Sequence, residues 1–229
     1  MNYIGHLAFG LEAYKNINKY IKNKDVFLTG CVAPDIAIPN TISKNIGHYR
    51  DKSNLFFKAP DLEKFLYKYK SRLDEDFILG YFCHLYADMI FSTIYMIHIT
   101  KPLDKNKNFY NKKDASFVFL KKQNKLLDAS YFKQNNPLYD DYTISNDILV
   151  KSFNIPLKIN FSLQDPKIDE IDKDKLKNIN EEVIKYLKLN NLKNKETSIL
   201  IIDDYCKFIK LYAKKFSKIY TNLINKNPM

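Results

Sequence analysis

The sequence predicts an all-α protein, folded as a single multi-helix domain over residues 1–229 around one long buried helix at about residues 74–99. Three observations support this prediction. Gly (5) and Pro (8) are scarce, so residues that favour tight turns are few. Hydrophobic residues make up 45% of the chain, which is enough for a substantial core. Apolar residues recur at helical spacing in several segments, and no Ser- or Gly-rich linker divides them.

The central helix is predicted from the apolar stretch between Phe77 and Thr100, which contains no Lys, Arg or Glu and a single Asp. The stretch is long enough to span a bilayer, but a carboxylate at mid-membrane would cost about 2.5–3.5 kcal/mol. His84 and Asp88 are four residues apart, so they share one face of a helix and can bind the same metal ion. We therefore expect a buried core helix and no transmembrane segment.

The same periodicity predicts five further helices, at about residues 2–22, 62–72, 114–126, 172–189 and 197–224. Asp61 is expected to cap the second of these and Asp114 the third. Residues 36–58 carry Pro, Asn, Ser and Gly and are expected to form a loop. The segment 155–161 is either a short extended stretch or a loop.

Cysteine spacing, the N-terminal segment and the distribution of charge limit the classes of protein that the sequence can represent. Cys31, Cys83 and Cys206 lack CxxC spacing, so neither a disulfide framework nor a zinc finger is expected. The N-terminus does not read as a secretory signal, which favours the cytoplasm. Most of the net charge of +11 lies in the second half of the chain. This excess of lysine either attracts an anionic partner, such as a phosphate ester, nucleic acid or an acidic membrane, or only solvates the surface.

Metal-competent side chains occur on separate segments of the N-terminal half: His6, Asp35, His48, His84 and Asp88. Any one of them alone is more often a core side chain whose polar atoms are satisfied, so the joint pattern is the informative feature. Imidazole and carboxylate ligands in this mixture suit zinc, with Mn or Fe as alternatives. Because Pro34 is costly inside a helix, Asp35 is expected just past one element or at the start of the next.

Four strings carry a resemblance to a known family: GHLAFG with His6, GCVAPD with Asp35, GHYRD with His48, and GYFCHLYAD with His84 and Asp88. Together they resemble the bacterial zinc-dependent phospholipase C family. The relatives of that family include single-strand-specific fungal nucleases with the same all-helical fold and a trinuclear zinc site. The resemblance covers residues 1–100 well and the C-terminal helix more loosely.

The resemblance implies a first Zn²⁺ held by Asp35, His48, His84 and Asp88, and a partial second site in which Asp88 bridges to a zinc at His6. It also implies that Asp35 is a candidate general base. The implied reaction is hydrolysis of a phosphodiester by a metal-activated water, with zinc stabilising the charge that develops at phosphorus.

The sequence also departs from the family pattern. Members usually carry another His six residues after the bridging Asp, where this chain has Ile94. His98 lies about 15 Å along a continuous helix from Asp88, so it could contribute only if the helix breaks near residues 92–93. The later HisxxxGlu motif is missing, and Asp140 and Asp141 are at most its relic. One zinc site therefore looks complete, the second partial and the third lost.

Three functions fit these observations. The first is a zinc-dependent hydrolase acting on a phosphoester small molecule or a phospholipid head group. The second is a metal-stabilised protein without catalysis, which the lost third site suggests. The third, a nuclease acting on single-stranded nucleic acid, is not favoured because aromatic and basic residues do not interleave as they do in strand-binding surfaces. The sequence makes no prediction of oligomeric state.

Overall fold

Helices form most of the computed structural model, which describes residues 1–156, 158–161, 164–188 and 196–225. The α-helices are α1 (Tyr3–Ile17), α2 (Lys24–Ile36), α3 (Lys44–Gly47), α4 (Leu62–Tyr69), α5 (Asp76–Ile90), α6 (Met96–Ile99), α7 (Ala129–Gln134), α8 (Leu138–Phe153), α9 (Lys173–Leu176), α10 (Ile179–Lys188) and α11 (Ile202–Asn225). A small antiparallel sheet has the order β1 (Thr100–Leu103), β2 (Phe117–Leu120), β3 (Lys125–Asp128). The predicted fold class, a helical protein with a long buried central helix, is confirmed.

The central helix runs from Asp76 to Ile99 as α5, a π-helical turn at Phe91–Tyr95, and α6. Every residue of α5 except Met89 is buried. Among the described residues, this is the one helix that is long and apolar enough to cross a membrane, and 78% of its apolar window is buried inside the protein. It is therefore a core helix by its packing, and the structure contains no clear transmembrane span in its described part.

Helices α2 and α5 cross in direct backbone contact at two glycines. A Cβ atom on Gly30 would lie 2.2 Å from the carbonyl oxygen of Phe77, and one on Gly80 would lie 2.1 Å from that of Phe27. Only glycine permits this approach. The contact brings Cys31, next to Gly30, beside His84, one turn after Gly80, so that the Cys31 carbonyl oxygen lies 2.9 Å from Nδ1 of His84.

Helix α11 covers α1 and α5. Its Phe216 ring lies among Phe9, Phe82 and Tyr86, with centroid distances of 6.5, 5.5 and 5.4 Å respectively. The predicted helix at residues 197–224 carries apolar residues at helical spacing, and Tyr205, Ile209, Phe216 and Tyr220 among them are buried. This helix therefore closes the core against the two helices that carry His6 and His84.

The predicted helix at residues 114–126 is wrong. The chain there forms β2 and β3, joined by a turn in which Asn124 has a left-handed φ of 49°. The string FVFL alternates half-buried and buried positions, as a strand does, and pairs with β1 on its other side. Asp114 therefore caps no helix.

The expected position of Asp35 outside a helix is also wrong, because α2 continues through Pro34 and Asp35 lies in its last turn. Proline inside a helix costs about 3 kcal/mol. Burial of Phe27, Leu28 and Val32 offsets this cost, since a fully buried apolar side chain contributes about 1.5–3 kcal/mol.

Three other predicted segments differ in detail. The loop expected at residues 36–58 contains the single helical turn α3. The helix expected at 172–189 is divided into α9 and α10, and residue 189 lies outside the described residues. Segment 155–161 is a loop in its described part, with Leu157 outside it.

Candidate metal centre

The side chains predicted to bind metal converge on one buried centre. His6 comes from the first turn of α1, Asp35 from the last turn of α2, and His48 directly follows α3. His84 and Asp88 lie one turn apart on α5. The potential ligand atoms of His6, His84 and Asp88 lie within 4.8 Å of one another, as do those of Asp35, His48 and His84. The two groups share His84, so all five residues are brought together.

The facing atoms of the centre are nitrogen and carboxylate oxygen. His6 Nε2 lies 3.4 Å from Asp88 Oδ1 and 3.6 Å from Asp35 Oδ2. His84 Nε2 lies 3.6 Å from Asp88 Oδ2, and His48 Nε2 lies 3.2 Å from Asp35 Oδ1. The rings of His6 and His84 stack with centroids 3.8 Å apart. The atoms through which these five side chains face one another are thus of the kind that zinc prefers.

Two of the histidines are oriented by backbone carbonyl groups. His84 Nδ1 lies 2.9 Å from the carbonyl oxygen of Cys31, and His48 Nδ1 lies 2.9 Å from that of Lys44. Because a carbonyl oxygen only accepts, each Nδ1 must donate its proton. In the neutral, buried ring of His84 this leaves an Nε2 lone pair facing the centre, which is the arrangement seen in histidines that bind metal. The Tyr81 hydroxyl, from α5, donates to the carbonyl of Gly47 and holds the turn before His48.

Three buried nitrogens in the centre have no hydrogen-bond partner among the described residues: both ring nitrogens of His6 and Nε2 of His84. Burial lowers the pKa of His6, and it lowers that of His84 well below its usual range, so both rings are neutral at physiological pH. A buried polar atom left unpaired costs about 1–3 kcal/mol. A zinc ion would satisfy the Nε2 lone pair of His84 and that of His6, whose Nε2 faces Asp88, so the residues present fit the metal.

Both carboxylates of the centre are ionised. Burial opposes the ionisation of Asp35, but its hydrogen bond with His48 and the ammonium of Lys44, 2.7 Å away, hold its pKa well below the usual value. Burial likewise opposes the ionisation of Asp88, and the guanidinium of Arg50 and the amino group of Met1 hold its pKa well below the usual value. Ionised carboxylates are the form that binds zinc.

Three cations border the carboxylates of the centre and were not predicted from the sequence: Lys44, Arg50 and the Met1 amino group. Arg50 contacts Oδ2 of Asp88, and the Met1 amino group lies 2.5 Å from Oδ1 of the same carboxylate. Arg50 lies in the GHYRD string two residues after His48, and this proximity to a predicted ligand was the available signal. Nothing in the sequence indicated that Lys44 and the Met1 amino group contact the carboxylates, because these contacts depend on how α3 and α1 are packed.

Two polar residues that the sequence left open lie outside the centre. His98 is 61% exposed and its Nε2 lies 4.0 Å from Asp204, and the helix before it continues through the π turn without a break. Asp141 is buried and accepts backbone N–H bonds from Ser198, Ile199 and Leu200, so its carboxylate anchors the segment before α11. Asp140 is exposed. The described residues offer no third cluster of ligands.

The comparisons with known proteins identify one family. A family model for zinc-dependent phospholipase C matches residues 5–189, a range that contains His6, Asp35, His48, His84 and Asp88. No curated protein and no solved structure matches the chain. Since the family model spans most of the 229 residues, the chain belongs to the zinc-dependent phospholipase C family.

Proposed function

We propose that this protein is a hydrolase of phosphodiesters that depends on zinc. The observation that carries the proposal is that Nε2 of His6 and Nε2 of His84, both unpaired on neutral rings, face ionised carboxylates in one buried centre. A solely structural core would not leave three buried nitrogens unsatisfied at this cost. The family assignment supports the same class of reaction and suggests a phospholipid as the substrate.

In this proposal one zinc is held by Asp35, His48, His84 and Asp88, and His6 with Asp88 forms part of a second site. Bound zinc would supply Lewis-acid catalysis, because it polarises phosphoryl oxygens and lowers the pKa of water. The ligands are buried to different degrees, and the Asp35 side chain, 8% exposed, is the most accessible of them.

Residues of the chain would also bind and orient the substrate. Arg50 is 20% exposed and Lys44 is 59% exposed, so a cation borders each carboxylate on the solvent side. A guanidinium can bind two phosphate oxygens at once, whereas an ammonium acts as a point charge. We propose that the two side chains attract the phosphodiester and turn its oxygens towards the centre. The ionised Asp35 carboxylate can then accept a proton as general base.

The proposal is tested by comparing the wild type with two histidine variants. His84→Ala removes a ligand common to both groups of the centre, and His98→Ala removes an exposed histidine outside it. We expect purified wild type to contain zinc by elemental analysis and to hydrolyse bis(4-nitrophenyl) phosphate. His84→Ala should lose both properties, and His98→Ala should keep both. A wild type that takes up no zinc, or a His84→Ala variant that equals it in zinc content and in rate, would sink the proposal.

A second candidate is a member of the family that binds zinc without catalysis. It is favoured by one observation: His98 and Asp141 are both engaged elsewhere, so the described residues offer no third ligand cluster. One equivalent of zinc that raises thermal stability, with no turnover of any phosphoester, would select this candidate. Steeply salt-dependent binding of single-stranded DNA or RNA, with its cleavage, would instead select a nuclease.

A further inference from the structure

The outward face of α11 is strongly basic. Between Tyr205 and Asn225 the helix carries no Asp or Glu, while five lysines are exposed: Lys207, Lys210, Lys214, Lys215 and Lys218. Lys207 lies 3.6 Å from Asp204. No carboxylate of the described residues forms an ion pair with the other four. Lys215 lies over the ring of Tyr212, with Nζ 4.4 Å from its centroid.

Apolar side chains are exposed among these lysines. At 100° per residue, Lys207, Lys214, Lys218 and Leu211 fall within an arc of about 60°. Leu211 is 51% exposed and Ile219 is 40% exposed, so both project into solvent beside ammonium groups. This face therefore combines positive charge with exposed apolar side chains. Charged side chains alone would be enough to solvate the helix.

Two cavities lie on the same face. One, of about 370 Å³, is lined by Ile94, Phe208 and Leu211, and the ion pair of Lys207 with Asp204 forms part of its polar border. The other, of about 350 Å³, is lined by Asn16, Lys214, Lys218, Thr221 and Asn222 with Ser217. The second cavity is bordered by two ammonium groups together with hydroxyl and amide groups. Such a lining is complementary to an anion.

We propose that this face of α11 binds an anionic lipid surface. Clusters of four to eight basic residues on an amphipathic helix are typical of contacts with anionic lipids, and α11 has five lysines. The ammonium groups contact the head groups, and Leu211 and Ile219 enter the interfacial layer. Since the apolar stripe of α11 remains in the protein core, the protein lies on the membrane and does not span it.

A lipid surface fits this face better than a nucleic acid. A phosphate backbone would use the lysines, but it has no use for the exposed Leu211 and Ile219. The aromatic rings that stack on bases in strand-binding proteins are buried or half-buried in α11. The inference needs neither zinc nor turnover, so it stands or falls separately from the proposed hydrolase activity.

The test is co-sedimentation of the whole chain with phosphatidylcholine vesicles, with and without phosphatidylserine, in the presence of EDTA. Each lysine near an anionic surface contributes a factor of about 5 to binding, so Lys214→Gln/Lys218→Gln should weaken it by about 25-fold. The matched control, Lys105→Gln/Lys125→Gln, removes the same charge from exposed positions near the sheet and should change binding little. Leu211→Asn should weaken binding without changing net charge.

The expected result is binding that requires phosphatidylserine, falls with salt and is weakened selectively by the α11 variants. Equal losses in the two double variants would overturn the proposal, because net charge alone would then explain binding. Wild type that does not sediment with anionic vesicles, or that binds single-stranded RNA more tightly than the vesicles, would also overturn it. Because all of these positions are exposed, unchanged thermal unfolding of each variant is the check on its fold.

Discussion

Arg50 places a positive charge where a divalent metal would act. Its guanidinium contacts Asp88 in the folded chain, and its Nε is buried without a hydrogen-bond partner among the described residues. Zinc at the centre would therefore compete with Arg50 for the same carboxylate. We expect Arg50→Gln to bind zinc more tightly than the wild type, as measured by competition with a chromophoric chelator.

The same substitution should destabilise the metal-free protein. Loss of a hydrogen bond to a charged, buried group costs about 1.5–3 kcal/mol in the free energy of unfolding, measurable by urea titration in EDTA. Lys64→Gln is the matched control, because Lys64 lies 3.0 Å from the carboxylate of Asp51 in an exposed ion pair, which contributes little. If Arg50→Gln bound zinc as weakly as His84→Ala, the competition between Arg50 and the metal would be refuted.

Glu170 holds the segment next to His48. Its carboxylate accepts hydrogen bonds from the Tyr49 hydroxyl (2.7 Å), the Tyr69 hydroxyl (2.5 Å) and Lys68 (2.8 Å). Tyr49 has a left-handed φ of 55°, which a non-glycine residue adopts only when its surroundings enforce it. The Glu170 network thus holds the backbone turn that delivers His48.

The Glu170 network predicts a pH dependence. Burial opposes the ionisation of Glu170, but the hydrogen bonds from Lys68, Tyr69 and Tyr49 hold its pKa below the ordinary value of 4.5. The folded state therefore binds this proton more weakly than the unfolded state, so the stabilisation is complete well above pH 4.5 and is lost as the pH falls through the folded pKa. Glu170→Gln should cost about 1.5–3 kcal/mol at pH 7.

This difference between wild type and Glu170→Gln should stay constant from pH 7 to about pH 5 and shrink in more acidic solution, as followed by urea unfolding at each pH. A difference that grows on acidification would show that the sign assigned to this carboxylate is wrong. Asp169→Asn is the control, because the neighbouring Asp169 side chain is 87% exposed.

At the scale of elements, the crossing of α2 and α5 decides whether the centre forms. Gly80→Ala would place a Cβ atom 2.1 Å from the carbonyl oxygen of Phe27, so the two helices would have to separate. Overpacking of this kind costs about 1–3 kcal/mol or more. Separation would also move the Cys31 carbonyl away from His84, and loss of such an orienting partner lowers metal affinity about 10–100-fold.

Both effects are measurable, by thermal unfolding in EDTA and by zinc competition. Gly10→Ala, in α1, is the matched control, since its added Cβ would meet side-chain atoms of Cys31 and Leu28 at 2.8 and 3.3 Å instead of backbone. It should cost less stability and leave zinc affinity nearly unchanged. If Gly80→Ala bound zinc like the wild type, the helix crossing would not control the centre.

The elements differ in how well local sequence predicts them. Helix α5 was predictable because its uninterrupted apolar stretch is longer than a strand. Helix α4 was predictable because Asp61 caps it, as expected. The hairpin of β2 and β3 was not, since a short apolar run is compatible with either a helix or a strand until its pairing with β1 is known. The position of Asp35 inside α2 was not predicted, because the burial that offsets the cost of Pro34 depends on tertiary packing.

At the scale of the molecule, zinc should stabilise the folded state through mass action. A ligand that binds only the folded chain, at a thousand times its dissociation constant, contributes about 4 kcal/mol. For a chain of 229 residues this corresponds to a rise in the unfolding temperature of roughly 10 °C. Differential scanning calorimetry of wild type with zinc and with EDTA measures the shift.

His84→Ala should show no such rise, because both ligand groups lose a member. Asp204→Ala, which removes the acidic neighbour of His98 outside the centre, is the control and should respond to zinc like the wild type. An equal rise in all three proteins would mean that the stabilising metal binds somewhere else.

The sequence by itself determined the helical class, the central helix and the identity of the five candidate ligands. These features depend on local sequence. The spacing of apolar residues shows which face of a helix is buried. His and Asp are conspicuous in apolar segments because burying a polar side chain is costly. The resemblance to the zinc-dependent phospholipase C family supplied the joint role of the five residues.

Only the tertiary structure decided what surrounds these ligands. The approach of Gly30 to Gly80, the carbonyl groups that orient His48 and His84, and the contact of Arg50 with Asp88 join residues far apart in the chain. Such contacts depend on how helices pack, and packing is set by the whole core and not by any single segment.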